Sequence, residues 1–482
     1  MPRASRRRSH YRLTFAVLIA AAIGFSLLQS LTSPVLGPIS EHLGTDRNTV
    51  TWVLTAYLIS AAVCTPIIGR MGDRVGKERM LVVSMCALAL GCLAGVFAPS
   101  VGWLIGARIL QGVGGGAVPL CFGIIRDEFP ERKIAGAVGF TASVVAVGGG
   151  IGVVVAGPIL DVFGYTGLFW VPFVVTSTAA IAAFLLVPES PVRTPAPISA
   201  LPALLLSSWL VAFLVPLSQG SRWGWTSPQV IGPILLSVLL CWAWVQVELR
   251  SKAPLIDMAM MRKRSVWTCN VVALVLGWTL FSAFAFLPQF AQVDSSHGYG
   301  FSASVTTSGL LVLPSAAAMV VMGLCSPWLA RKVGARMVVF VGCLTMSGAM
   351  AVLTFAHGTL AHFYVANGVL GVGQGMVISC MAGLVVAAVP PEQTGVASGM
   401  NANIRNVGGS IGAAVSSMII TAHVGSDGVP AESGFTWAFG TMSATMAVVS
   451  LAALAIPSMS QERLVETLAA TPTSSADDAL TR

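Results

Sequence analysis

The sequence predicts an all-α membrane protein with fourteen transmembrane helices. Three observations carry this reading: scarce charge, apolar runs of bilayer length along nearly the whole chain, and basic residues gathered in alternate connections. Of 482 residues, 55% are hydrophobic and 10% are charged, against about 25% charged in soluble domains. A helix needs about 20 apolar residues to cross a bilayer. Fourteen such helices leave only short loops. That excludes a soluble catalytic domain and the nucleotide-binding domain of an ATP-driven pump.

Apolar runs place spans near 14–36, 49–68, 80–96, 104–125, 135–160, 168–187, 200–217, 230–247, 266–290, 304–329, 337–355, 363–389, 394–422 and 435–456. Most are apolar on every face, as expected for helices meeting lipid or a bundle interior. Arg3, Arg6, Arg7, Arg8 and Arg12 precede the first span, as they would a signal peptide. Its apolar stretch is too long for a signal core, however, and no small-residue cleavage site follows, so it reads as a retained span.

Basic residues set the orientation. With a cytoplasmic N-terminus, 24 of the 27 Lys and Arg fall on inner segments, Arg405 counted among them; Arg47 and Arg222 fall outside and Arg108 within a span. The net charge of +8 is therefore a topology signal and not a nucleic-acid patch, and both termini are expected in the cytoplasm. The nine cysteines form no CxxC pair and read as small hydrophobes. No phosphate-binding loop, catalytic triad or zinc spacing is present, so no cofactor, metal or enzymatic activity is expected.

The chain repeats itself at long range. Asp73-Arg74-Val75-Gly76-Lys77 after span 2 matches Arg331-Lys332-Val333-Gly334-Ala335 after span 10. Arg108 to Gly116 in span 4 matches Asn367 to Gly375 in span 12, and the two offsets are 258 and 259. Pro130-Glu131 and Pro391-Glu392 form a weaker third pair. The organisation predicted is a basic N-terminus (1–12), a six-helix bundle (13–188), a linker with inserted spans 7 and 8 (189–265), a second six-helix bundle (266–457) and a disordered tail (458–482). Pseudo-symmetric halves suit alternating access, in which they rock about a site near the midplane.

Three motifs name a family. Gly69-Arg70-Met71-Gly72-Asp73-Arg74-Val75-Gly76-Lys77-Glu78-Arg79 resembles the G-x-x-x-D-R-x-G-[RK]-[RK] signature of the major facilitator superfamily. The glycines permit a tight turn and close helix approach. The resemblance implies a conformational latch made of Gly69, Gly72, Asp73, Arg74, Gly76 and Lys77, completed by Asp127 at the end of span 4. Arg108, Gln111 and Gly112 resemble the family's R-x-x-Q-G motif, in which the arginine is linked to proton movement. Such an arginine, costly in a membrane, should face the bundle interior or water. In span 5, Gly148, Gly149, Gly152, Gly157 and Pro158 resemble the antiporter motif of exporters, with proline expected to bend the helix; Asp161-Val162 replaces the usual Gly-Gly that follows. With the inserted pair and Ser218-Gln219-Gly220-Ser221-Arg222-Trp223-Gly224-Trp225 between spans 7 and 8, the chain looks like the fourteen-span drug:proton antiporter branch.

One departure matters. That branch carries an aspartate in span 1 where this chain has Gln29, which can hydrogen-bond a solute but cannot release a proton. No acidic residue falls near a predicted span centre. Asp127 coupled through Arg108, or Asp161 and Glu41 at an external mouth, stand as candidate proton carriers. Polar and aromatic residues inside spans are candidates for the solute site: Gln29, Trp52, Tyr57, Asn270, Trp278, Phe284, Asn367, Gln374 and Asn401. A neutral cavity with aromatics suits an amphipathic organic molecule. The expectation is a monomeric exporter of drugs or secondary metabolites in a bacterial plasma membrane, in contact with lipids and exchanging the solute for protons. A facilitator or importer of a small nutrient, and a non-transporting receptor or scaffold, are the alternatives.

Overall fold

The computed structural model describes residues 11–32, 35–45, 47–189, 200–251, 254–423 and 429–457. Arg3, Arg6, Arg7, Arg8, Arg193, Lys252 and the tail 458–482 lie outside the described residues. All regular elements among them are helical. In the first half these are α1 (Tyr11–Leu31), the short α2 (Leu36–His42), α3 (Arg47–Val75) and α4 (Lys77–Val96). Next come α5 (Val101–Gly112) and α6 (Ala117–Glu128), joined by a 3₁₀ turn at Val113–Gly116, and α7 (Glu131–Leu186). The inserted pair is α8 (Ala200–Trp223) and α9 (Pro228–Arg250). The second half has the short α10 (Met258–Arg262), α11 (Arg264–Gln292), α12 (Val305–Leu310), α13 (Leu313–Val333), α14 (Ala335–Phe355), α15 (Leu360–Ala388), α16 (Thr394–Thr421) and α17 (Glu432–Leu454).

Thirteen helical stretches are long and apolar enough to cross a membrane. The fourteenth expected span, α16, has the length, 28 residues, but not the apolarity. Asn401, Asn403, Arg405 and Asn406 dilute it, and it packs against α3, α8 and α11. Expected spans 5 and 6 are joined without a loop in α7. The break between them is at Gly164, whose φ of 66° leaves the helical region, and not at Pro158, which keeps helical geometry. Arg405, counted above with the inner segments, lies instead well inside α16. The segment 218–223, read above as external loop, continues α8.

The repeat is real in three dimensions. Gly76 (φ 129°, ψ 129°) and Gly334 (φ 88°, ψ 141°) turn the chain in the same left-handed region at matching positions. A Cβ on Gly114 would meet Leu88, and one on Gly373 would meet Met346, again at matching positions. The glycines of spans 4 and 12 thus let each helix sink into its neighbour within its own half. Without a hydrophobic drive between helices in lipid, such close packing holds a membrane bundle together. In the inserted pair, α8 lies against α3 and α16, one from each half. Its partner α9 turns Leu235, Leu236, Val238, Leu239 and Trp242 outward, as a lipid-facing helix does. Glu248, at the end of α9, accepts hydrogen bonds from the Leu255 and Ile256 amides and Trp244 Nε1 (2.9, 3.2 and 3.2 Å), which fixes the linker into the second half.

The tightest helix contact tests this packing. A Cβ on Gly277 would stand 1.9 Å from the Arg405 carbonyl oxygen on α16. Gly277→Ala should lower the melting temperature of the purified protein, at a cost of about 1–3 kcal/mol. Gly348→Ala, where nothing stands within 4 Å of the new carbon, should leave it unchanged or slightly raised.

Candidate functional site

Hydrogen bonds and ion pairs gather the helix ends rich in lysine and arginine on one side of the molecule, the basic face. Lys133 Nζ donates to Tyr11 at 2.9 Å, Arg79 Nη2 to Glu189 at 2.8 Å and Arg264 Nε to the Ala455 carbonyl at 3.0 Å. Some of the residues expected in the latch meet here. Gly76 turns the chain so that Lys77, itself fully buried, runs over Gly123 toward the end of α6; a Cβ on Gly123 would meet Lys77 Cδ at 2.7 Å. Its Nζ reaches both Asp127 oxygens at 3.0 and 2.9 Å, with side-chain exposures of 0% and 2%. Gly72 gives room to Leu120 of α6, and Arg74 is exposed.

Asp73 belongs to a second contact, between the halves. It is 1% exposed and sits against Gly395 in the first turn of α16; a Cβ there would lie 3.1 and 3.2 Å from its two oxygens. Neither oxygen makes a well-aligned hydrogen bond in this arrangement, though the Gly395 and Val396 amides at the start of α16 bear on the carboxylate. The N-terminal end of a helix carries partial positive charge, which favours a carboxylate there. Gly69 and Gly395 are backbone to backbone: a Cβ on Gly69 would meet the Gly395 carbonyl at 2.8 Å. Beside them Arg126 of α6 donates to the Val386 carbonyl (2.5 Å) and to Thr394 Oγ1 (2.8 Å) in the other half. Gly139 on α7 faces Ser379 on α15, and Gly136 faces Pro327 on α13. The two halves are sealed to each other at the basic face.

Arg126 was read from the sequence as a topology signal only. Its position beside Asp127, at the last turn of span 4, was the clue to a role in the seal.

Deeper in the bundle lies a second cluster. Arg108 is fully buried, with Nε on the Val53 carbonyl (3.2 Å) and Nη1 on Gln111 Oε1 (2.7 Å) and the Leu28 carbonyl (3.5 Å). Its guanidinium lies 4.6 Å from the centre of the Tyr57 ring, a cation–π distance. Gln111 Nε2 turns to Cys92 Sγ at 3.7 Å. Gly112 packs on Ser60. The Leu28 carbonyl that receives the guanidinium belongs to the residue before Gln29 on α1.

The other candidates divide. In the antiporter motif, Gly148 and Gly152 pack against Ser26 and Ser30 of α1, whereas Gly149 and Gly157 have nothing within 4 Å of an added Cβ and Pro158 is exposed. Asn270 and Asn401 bond each other at 2.9 Å, Asn367 donates to the Phe363 carbonyl at 3.0 Å, and Gln374 accepts from Ser315 at 3.3 Å. These amides are used inside the protein. Trp278 packs on Gly412 with its Nε1 unpartnered, and Gln29, Trp52 and Phe284 are half-buried. Of the candidate proton carriers, Asp127 is held by Lys77, while Glu41 and Asp161 are exposed.

The model of the Major Facilitator Superfamily matches residues 15–413 and 300–472, and the chain belongs to that family. It is similar to "Multidrug resistance protein Stp" of Mycobacterium tuberculosis (strain CDC 1551 / Oshkosh), 26% identical over 417 residues, covering 85% of this chain and 76% of the relative. It is similar also to the "Tetracenomycin C resistance and export protein" of Streptomyces glaucescens, 25% identical over 418 residues, covering 85% and 76%. Among solved structures, the human organic anion transporter MFSD10 (TETRAN) superposes with a TM-score of 0.67 at 15% identity, covering 94% of this chain and all of that one. That likeness shows the fold alone.

Arg126 offers a direct check of the seal. In a background without the nine native cysteines, Ser398→Cys, 6% exposed on α16, should react slowly with a hydrophilic maleimide. Adding Arg126→Ala removes charge-assisted hydrogen bonds worth more than about 1.4 kcal/mol and should speed labelling about tenfold or more.

Proposed function

We propose that this chain exports amphipathic small organic molecules, drugs or secondary metabolites, across a bacterial plasma membrane by alternating access and in exchange for protons. In this reading the basic face and both termini are cytoplasmic, the halves 13–188 and 266–457 rock as units, and the chain works as a monomeric transporter and not as an enzyme. One observation carries it: the seal that Arg126, Asp73, Gly69 and Gly395 make between the halves. It joins backbone and carboxylate at glycines with little side-chain interlock, so it can open without repacking a core. The state described is closed at that face. A receptor or scaffold on the same bundle has no use for a buried, incompletely bonded carboxylate at the seam. The outward direction is supported by the relatives named for resistance and export.

A second reading, facilitated movement without proton exchange, is favoured by the placement of the carboxylates. Lys77 occupies Asp127, and Glu41 and Asp161 are exposed, so none of the three is a free acid in the bundle interior.

Purified protein in liposomes decides between them. Efflux of lipophilic dyes and antibiotics that follows an imposed pH gradient, with protons moving the other way, is the expected result; movement indifferent to the gradient retires proton exchange. Asp73→Asn should abolish most transport while insertion is unchanged, and normal transport by that variant would remove the mechanical role given to the seal.

A further inference from the structure

Two buried charges of this protein are matched: Lys77 meets Asp127, and the Glu248 carboxylate collects three N–H donors. Arg108, like Asp73 at the seam, is not. It is fully buried, its acceptors are two backbone carbonyls and an amide oxygen, and no carboxylate among the described residues pairs with it. Its Nη2 has no hydrogen-bond partner, and neither does the hydroxyl of Tyr57, the residue whose ring lies against the same guanidinium. Two groups able to donate are thus left without partners on two residues in contact with each other, one of them carrying a full positive charge.

The repeat shows that the fold does not require this cation. The matching position in the second half is Asn367, a neutral residue that bonds the carbonyl one turn back and is also buried. A buried cation with spare donors, in a half where an uncharged residue would serve the packing, is a recognition element. A guanidinium presents a planar fork suited to carboxylate or sulfonate oxygens, and a phenolic hydroxyl adds a third donor. A second cation lies well inside a helix of the bundle: Arg405, half-buried on α16, whose side chain has no hydrogen bond or ion pair among the described residues.

We propose that Arg108 and Tyr57 form the head-group site of an anionic solute: an amphipathic molecule bearing a carboxylate or sulfonate, whose oxygens take Arg108 Nη2 and Tyr57 OH. The direction of its transport rests on the export reading; its binding does not. Such a cargo also removes the need for a protonatable carboxylate in the bundle. In a cell whose interior is negative, an anion leaves down the membrane potential.

Calorimetry on the full-length protein in lipid nanodiscs, in chloride-free buffer, tests this with two matched probes, naphthalene-2-sulfonate and 2-naphthyltrimethylammonium. The sulfonate should bind about tenfold or more tighter, as expected for a charge-assisted contact in the interior. Gln111→Glu is nearly isosteric and sets a carboxylate where Oε1 now stands, 2.7 Å from Arg108 Nη1. It should cost the sulfonate about tenfold or more in affinity and spare the ammonium probe. Tyr57→Phe, which keeps the ring and removes one donor, should weaken the sulfonate about tenfold and decides the matter if Gln111→Glu does not fold. Equal binding of the two probes, preference for the ammonium, or undiminished sulfonate affinity in a folded variant overturns the proposal. Sulfonate that binds as expected but is not moved in liposomes retires the export reading and leaves the site standing.

Discussion

Burying Lys77 against Asp127 is the constraint on which the basic face depends. Each ion loses its water on burial, and the pair holds only because both Asp127 oxygens receive the ammonium at hydrogen-bond distance. Removing one partner from such a pair costs about 3–5 kcal/mol, since the other charge is left stranded. The pair staples the α3–α4 turn to the end of α6, and so fixes two things nearby. Asp73, one turn before Lys77, is held against α16; Arg126, beside Asp127, is aimed at Val386 and Thr394. A rigid contact within one half presents two releasable contacts to the other.

Around that staple the bundle is assembled by absence of side chain. Gly114 admits Leu88, Gly123 admits Lys77, Gly277 admits the Arg405 carbonyl and Gly395 admits Asp73. In lipid, close approach of backbones replaces the hydrophobic collapse that drives soluble proteins. The inserted helix α8 adds a further tie, since it lies across the seam on α3 and α16. The seam is therefore bounded by a charged seal at one face and by a helix along its flank.

Much of this was legible in the sequence. Scarce charge and apolar runs gave the spans, because lipid demands apolar surface over a fixed length. The repeat was visible because Gly76 and Gly334 serve the same left-handed turn, which few residues other than glycine adopt. Lys77 and Asp127 were placed in one cluster because the family motif they resemble implies it; that they pair with each other was not foreseen. What was not legible depends on side-chain direction. Nothing in the letters says that Arg126 crosses to the other half while Arg74 points outward. The amides Asn270, Asn367, Gln374 and Asn401 read as solute contacts because they are polar inside spans; folded, they satisfy one another and the backbone. Arg405 was counted with the inner segments although the span expected at 394–422 already enclosed it, as the helix does. The break between spans 5 and 6 falls at Gly164, inside the interval 161–167 left between them, whereas the bend expected at Pro158 is absent because that proline is accommodated within the helix.

The central claim is that the seal at the basic face, set by the α3–α4 turn, holds the two halves together in this state and must part for transport. Spin labels at Glu131, on the first turn of α7, and Arg331, near the end of α13, are both exposed and sit at helix ends brought together where Gly136 meets Pro327. Pulsed electron paramagnetic resonance on the protein in lipid should give one short distance for the native seal. With Asp73→Asn it should show a second, longer population. An unchanged single distance in that variant would contradict the account.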